Sequence, residues 1–185
     1  MLLGETQADY GKVIWLFGLS GAGKTTLAEA LSLRMRGVGT PVIRLDGDDL
    51  RQGLCADLGF DAASRSENLR RAAHVARLMS DTGATVVCSF VTPFERDREH
   101  IREILGDRLI QVYVATSLEE CERRDPKGLY RRARAGEIPQ FTGISSPFER
   151  PTSPDLTLCT EDTRVADLVD VLACHLRVPK FEYAI

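Results

Sequence analysis

The run Gly18-Leu19-Ser20-Gly21-Ala22-Gly23-Lys24-Thr25 constrains this chain more than any other stretch, because of what flanks it. It fits the spacing G-x-x-x-x-G-K-[ST], a pattern that carries meaning only between a strand and a helix. Val13-Ile14-Trp15-Leu16-Phe17 ahead of it is a continuous apolar run, as a strand covered on both faces requires. Behind it, Thr26 to Met35 places Leu27, Ala30, Leu31 and Met35 at helical spacing, with Gly37 and Gly39 marking the end. A strand that turns sharply into a helix aims successive backbone N–H groups at one centre, at the positive end of the helix. Lys24 adds a mobile positive charge for outer phosphates, and the Thr25 hydroxyl is available to Mg²⁺. A bare glycine-rich turn would need neither. The stretch therefore predicts a nucleoside triphosphate site built from Gly18, Ser20, Gly21, Ala22, Gly23, Lys24, Thr25 and Thr26.

Beyond it, strands and helices alternate. Val42-Ile43-Arg44-Leu45 reads as a strand delivering Asp46-Gly47-Asp48-Asp49-Leu50-Arg51 in a loop at its carboxyl end, where open α/β sheets hold ligands. Ser64-Arg65-Ser66-Glu67 has the pattern of a capping box, opening a helix with apolar Leu69, Ala72, Ala73, Ala76 and Met79 that Gly83 closes. Thr85–Phe90, apolar but for Thr85 and Ser89, reads as a second strand covered on both faces, ending in Val91-Thr92-Pro93; a charged helix over 94–105 leads to a strand over 109–114. Residues 122–135 then gather Arg123, Arg124, Lys127, Arg131, Arg132 and Arg134 in a helical setting, and glycines and prolines punctuate 136–154. A basic, jointed segment of this kind predicts a mobile lid over about 122–150, although several of these arginines read equally well as a solvated helix face. A last strand over 156–159 and a helix over 165–176 complete the pattern, and residues 1–11 read as a loose polar lead-in. The prediction is an α/β fold of the P-loop NTPase kind: a single domain over 1–185, a central parallel sheet of about five strands, and helices on both faces.

Composition narrows the function. A net charge of −3 argues against a general nucleic-acid binder, which needs a strong positive field. Five scattered cysteines with no C-x-x-C pair read as reduced thiols in a cytoplasmic protein. No apolar run approaches the roughly 20 residues a membrane helix needs, and no signal peptide is evident. The guanine-reading N-K-x-D motif is missing, since Asn68 is the one asparagine. A small-molecule kinase is left as the best class.

Asp46-Gly47-Asp48, Arg51, Gly59-Phe60, Arg65-x-x-Asn68, Ser89-Phe90-Val91-Thr92-Pro93, Arg124-Asp125-Pro126-Lys127-Gly128-Leu129-Tyr130, Ala133-Arg134-Ala135-Gly136-Glu137-Ile138 and Phe141-Thr142-Gly143-Ile144 together resemble the adenylylsulfate kinase family. The resemblance runs from about Trp15 to about Leu158. It implies transfer of the γ-phosphoryl of MgATP to the 3′-hydroxyl of adenosine 5′-phosphosulfate (APS). It implies catalytic roles for Lys24, Asp48 and Asp46, with Asp48 the first choice to orient or deprotonate the hydroxyl and to join Thr25 at the metal. It further implies an acceptor site of Arg51, Phe60, Arg65, Asn68, Val91, Thr92, Lys127 and Phe141, in which Phe60 and Phe141 sandwich the adenine and the arginines take the anionic tail. Arg124 and the stretch from Thr160 to Thr163 are expected near the base of ATP. A homodimer and a functional link to ATP sulfurylase follow from the same resemblance. Thr92 departs from the family, where a serine that serves in some members as a phosphoryl acceptor is usual; a stiffer threonine implies direct transfer. Two other readings stay open here: a non-catalytic nucleotide-binding module that regulates a sulfurylase, and a P-loop kinase for another small acceptor.

Overall fold

The structure is a computed structural model that describes residues 10–179; most of the expected lead-in, residues 1–9, lies outside the described residues. β1 (Val13–Phe17), β2 (Val42–Asp46), β3 (Thr85–Phe90), β4 (Leu109–Val114) and β5 (Leu156–Leu158) form one sheet, all parallel, in the order β2-β3-β1-β4-β5. Successive side chains of a strand leave opposite faces, and β1 uses both. Ile14 and Leu16 pack under α1 (Lys24–Gly37) and α7 (Val165–His175), with Leu27, Leu31, Leu168 and Leu172. Val13, Trp15 and Phe17 pack under α3 (Ala62–Ser80) and α4 (Glu95–Leu105), with Leu69, Ala73, Ile101 and Leu105. This double cover is why β1 reads as an unbroken apolar run, and why β3 is buried along its whole length with only the small polar Thr85 and Ser89 among its residues. The chain leaves β1 towards β2 and β3 on one side and returns to β4 and β5 on the other. The carboxyl end of β1 is therefore the point at which strand order reverses, and a crevice opens there.

Three local details differ from the sequence reading. The residues after β2 are not a loop: Gly47–Gln52 form a short helix, α2, capped by the Asp46 carboxylate, which accepts the Asp48 N–H. The helix α3 starts earlier than the Ser64 pattern suggests. Its cap is Asp61, whose Oδ1 accepts the Ser64 N–H at 2.9 Å, while Glu67 turns outward to Arg70 and Arg71. The basic stretch is broken into α5 (Leu118–Arg124) and α6 (Leu129–Arg134), because Pro126 cannot continue a helix and Asp125 and Gly128 both take positive φ. No described helix is long and apolar enough to cross a membrane.

Candidate active site

A cavity of about 750 Å³ opens over the carboxyl ends of β1, β2 and β3, between α2 and the segment 124–142. Its floor is the glycine-rich loop. At Gly18, with φ +152°, a Cβ would lie 2.5 Å from the Val114 carbonyl oxygen, and Gly23, with φ +97°, turns the chain into α1; only glycine meets both demands. From below, the Thr116 and Thr160 hydroxyls each stand 3.0 Å from the Ala22 carbonyl and hold the loop in place.

Lys24 is buried in this floor, its Nζ donating to the Leu19 carbonyl at 2.6 Å. Desolvation lowers its pKa from the ordinary 10.5 to about 8, outweighing the raising influence of Cys121, Asp46 and Asp48. The lysine is charged at neutral pH and loses that charge as pH rises through about 8. We expect kcat/KM for ATP, which reports the free enzyme, to fall through that range. The kcat profile should hold to higher pH, because bound phosphate raises the lysine back. A kcat/KM that stays flat from about pH 7 to 9.5 would refute the assignment.

The two acids considered for the hydroxyl, Asp48 first and Asp46 second, have different partners. Thr25 Oγ1 donates to Asp46 Oδ2 at 2.9 Å, so Asp46 stands on the phosphate-loop side. Asp48 turns the other way and pairs with Lys127, which projects from the turn between α5 and α6. Among the described residues no cluster of three or more His, Cys, Asp or Glu forms a metal cage. One hydroxyl beside one carboxylate is instead the hard-oxygen set that Mg²⁺ takes when phosphate oxygens and water complete its shell. Thr25 and Asp46 fit that ion more directly than the pairing of Thr25 with Asp48 expected from sequence.

The opposite wall is aromatic and cationic. The Arg51 guanidinium lies 4.3 Å from the ring centroid of Phe60, which is 61% exposed to the cavity mouth, and donates to the Leu58 and Gly59 carbonyls. Arg65 donates to the Phe60 carbonyl, to Thr142 Oγ1 and to the Gln140 carbonyl at 2.6–2.7 Å, tying the loop that bears Phe60 to the loop that bears Phe141. Phe141 belongs to the core as well as the wall, meeting Tyr130 edge-on. Asn68 lines the cavity but is only 5% exposed, and its buried Oδ1 has no hydrogen-bond partner among the described residues, which is rare for a buried acceptor.

Of the residues singled out by sequence, Ser20, Gly21, Gly23, Lys24, Thr25, Thr26, Asp46, Asp48, Arg51, Phe60, Arg65, Asn68, Val91, Thr92, Arg124, Lys127 and Phe141 all line this cavity. Gly18 and Ala22 stand outside the lining and shape the loop from behind. Thr163 is away from the lining, exposed, its hydroxyl donating to the Glu161 carbonyl. Arg124 is held by Glu120 and by both the hydroxyl and carbonyl oxygens of Thr160. Arg123 and Arg134 pair with Glu120 and Glu122 inside their own segment, as the solvated-face reading of those arginines has it, whereas Arg132, paired with Glu137, lines the cavity.

A family model described as adenylylsulphate kinase matches residues 10–159. The chain belongs to the adenylylsulphate kinase family. The adenylyl-sulfate kinase of Paraburkholderia xenovorans (strain LB400) is 53% identical over 169 residues, covering 91% of this chain and 94% of its own. That of Staphylococcus epidermidis is 48% identical over 166 residues, covering 89% and 83%. Among solved structures, the Mycobacterium tuberculosis APS kinase in complex with AMPPNP and APS matches with a TM-score of 0.88 at 44% identity, over 91% of this chain and 98% of that one.

In this chain the position after Val91 is built into the scaffold. Thr92 is 1% exposed with φ +45°, and its Oγ1 accepts the Trp15 indole N–H at 2.9 Å. Its carbonyl accepts from Arg98, which is 2% exposed, pairs with Glu95, donates to the Glu149 carbonyl, and lies over the rings of Phe17 and Phe148. Neither Trp15 nor Arg98 was singled out for the site. Arg98 sits in the run Glu95-Arg96-Asp97-Arg98-Glu99, which reads as solvated, and only the chain's return at 147–152 buries it.

Proposed function

We propose that this protein transfers the γ-phosphoryl of ATP to the 3′-hydroxyl of APS, giving 3′-phosphoadenosine 5′-phosphosulfate. The observation that carries the reading is one cavity with two unlike walls: the Lys24–Thr25 phosphate loop on one side, and on the other Phe60 and Phe141 beside Arg51, Arg65 and the unpartnered Asn68. The first wall suits a triphosphate; the second suits a base with an anionic tail. That the Mycobacterium tuberculosis relative is a complex with AMPPNP and APS supports the pairing.

Phosphoryl transfer needs positioning and charge neutralisation more than covalent help. Lys24 and the loop amides hold the β and γ phosphates. Thr25 and Asp46 would hold Mg²⁺, which when bound would supply neutralisation of phosphate charge. Asp48 orients the acceptor hydroxyl and draws its proton. Lys127, now paired with Asp48, reaches the reacting phosphates or the phosphosulfate from a lid over 122–150. Arg124 borders the ATP side. The whole chain works as one cytoplasmic domain, a homodimer linked in function to an ATP sulfurylase.

Transfer is direct, with no phosphoenzyme, because the Thr92 oxygen is buried and engaged by the Trp15 indole. Thr92→Ala should keep turnover within about tenfold while lowering stability by about 1–3 kcal/mol, the cost of stranding a buried donor. Abolished turnover in a folded Thr92→Ala protein would sink the claim. The test of the function itself is ADP release from MgATP with APS, AMP, gluconate or no acceptor. Turnover with APS alone, in the range of roughly 1–100 per second usual for kinases, is expected. ATP binding without stimulation by APS would favour the regulatory module.

A further inference from the structure

Tyr130, in α6, is 2% exposed and meets both walls of the cavity. Its hydroxyl donates to the Ser20 carbonyl in the phosphate loop at 2.9 Å. Its ring meets Phe141 edge-on, with centroids 5.0 Å apart and planes at 82°. Its backbone N–H donates to Asp125 Oδ1 at 3.1 Å, at the start of the turn that carries Lys127. That turn also rests on the loop: a Cβ on Gly21 would lie 3.7 Å from Pro126 Cδ.

The Ser20 carbonyl and the Gly21 N–H belong to one planar trans peptide and point in opposite directions. Holding the carbonyl out to Tyr130 therefore sets the direction of the Gly21 N–H, and Gly21 lines the cavity. A nucleotide that fixes this peptide by its phosphates fixes the position of the Tyr130 hydroxyl. The ring of the same side chain then fixes Phe141.

We infer that Tyr130 is a positioning residue that couples the two sites: ATP on the phosphate loop tightens the acceptor wall through the Ser20–Tyr130–Phe141 contacts. By linkage the acceptor tightens ATP by the same factor. The inference rests on the reading above that Phe141 belongs to the acceptor site.

Tyr130→Phe keeps the ring and its packing and removes only the hydroxyl. In calorimetric titrations of the wild-type protein, AMPPNP should tighten APS binding by about tenfold or more, inside the roughly 5–150-fold span of such couplings. In Tyr130→Phe that factor should fall to about twofold or less, with each ligand alone binding within about threefold of wild type. A merely structural tyrosine would shift the single-ligand affinities or Tm and leave the factor untouched. An equal factor in both proteins, or none in the wild type, overturns the coupling. A second measurement needs no acceptor: AMPPNP alone should slow amide hydrogen exchange over 141–146 in the wild type and not in Tyr130→Phe. If APS fails to bind but this difference is seen, the acceptor assignment falls and the coupling stands. Equal slowing in both proteins ends the coupling whatever the acceptor is.

Discussion

Lys24→Ala is expected to reduce kcat by about 10³-fold or more while leaving the protein folded, a loss of about 4 kcal/mol in transition-state stabilisation. Lys24 is the cation buried in the phosphate-loop floor. Lys127 does not take its place, because it enters from the turn between α5 and α6 as an exposed side chain and cannot occupy the buried slot of Lys24 in the loop floor. Lys24→Arg should not restore activity either, since a planar fork does not fit the slot that aims Nζ at the Leu19 carbonyl. Folding and catalysis separate cleanly at this residue. A lysine whose pKa falls from 10.5 to about 8 binds its proton less tightly in the folded than in the unfolded state. At pH 7 that costs the folded protein about 3 kcal/mol, a cost that fades as pH rises from about 8 towards the unfolded value. Removing the amine relieves the cost, so Lys24→Ala should match or exceed wild-type stability at pH 7 once lost packing is set against it. Coupled ADP-release assays beside urea unfolding check both halves. Retained turnover, or an inactive variant that is also unfolded, would count against the role given to Lys24.

The parts of this molecule that were legible in its sequence are those where one physical demand dominates. β1 is covered on both faces and is apolar throughout, β3 admits only the small polar Thr85 and Ser89 among its apolar residues, and the glycines of the phosphate loop admit no substitute. α2 was not legible because six residues with no buried face leave no periodicity. The start of α3 was misplaced because Asp61 and Ser64 are equally good capping residues, and only the backbone decides which one caps. The different partners of Asp46 and Asp48 were hidden for a related reason. Two acids two positions apart look alike until the β2–α2 junction turns one to Thr25 and the other to Lys127. Arg98 and Tyr130 were hidden by distance, since their decisive partners lie 51 and 110 positions away, at Glu149 and Ser20. Local pattern reports on elements; contacts of that separation are set by topology.

The same junction supplies the second large effect, because asparagine at 46 and at 48 should fail in different ways. Asp46→Asn keeps a side-chain oxygen that caps α2, so the helix survives. It loses the charge beside Thr25, the carboxylate that the proposed Mg²⁺ site would use. We expect kcat to fall by about 10²–10³-fold and the Mg²⁺ concentration for half-maximal rate to rise by about tenfold or more, with partial recovery at high Mg²⁺. Asp48→Asn removes the negative charge that pairs with Lys127 and, in the proposed mechanism, the base that faces the acceptor. There kcat should fall by about 10²-fold, within the span typical of a lost general base. The Mg²⁺ dependence should stay within about twofold of wild type, and no concentration of the ion should restore the rate. Titrating Mg²⁺ at saturating ATP and APS for both variants reads the difference directly. If Asp48→Asn shifts the Mg²⁺ dependence and Asp46→Asn does not, the two roles are reversed: the metal then lies on the lid side of the cavity, and the hydrogen bond from Thr25 to Asp46 only fixes the strand end.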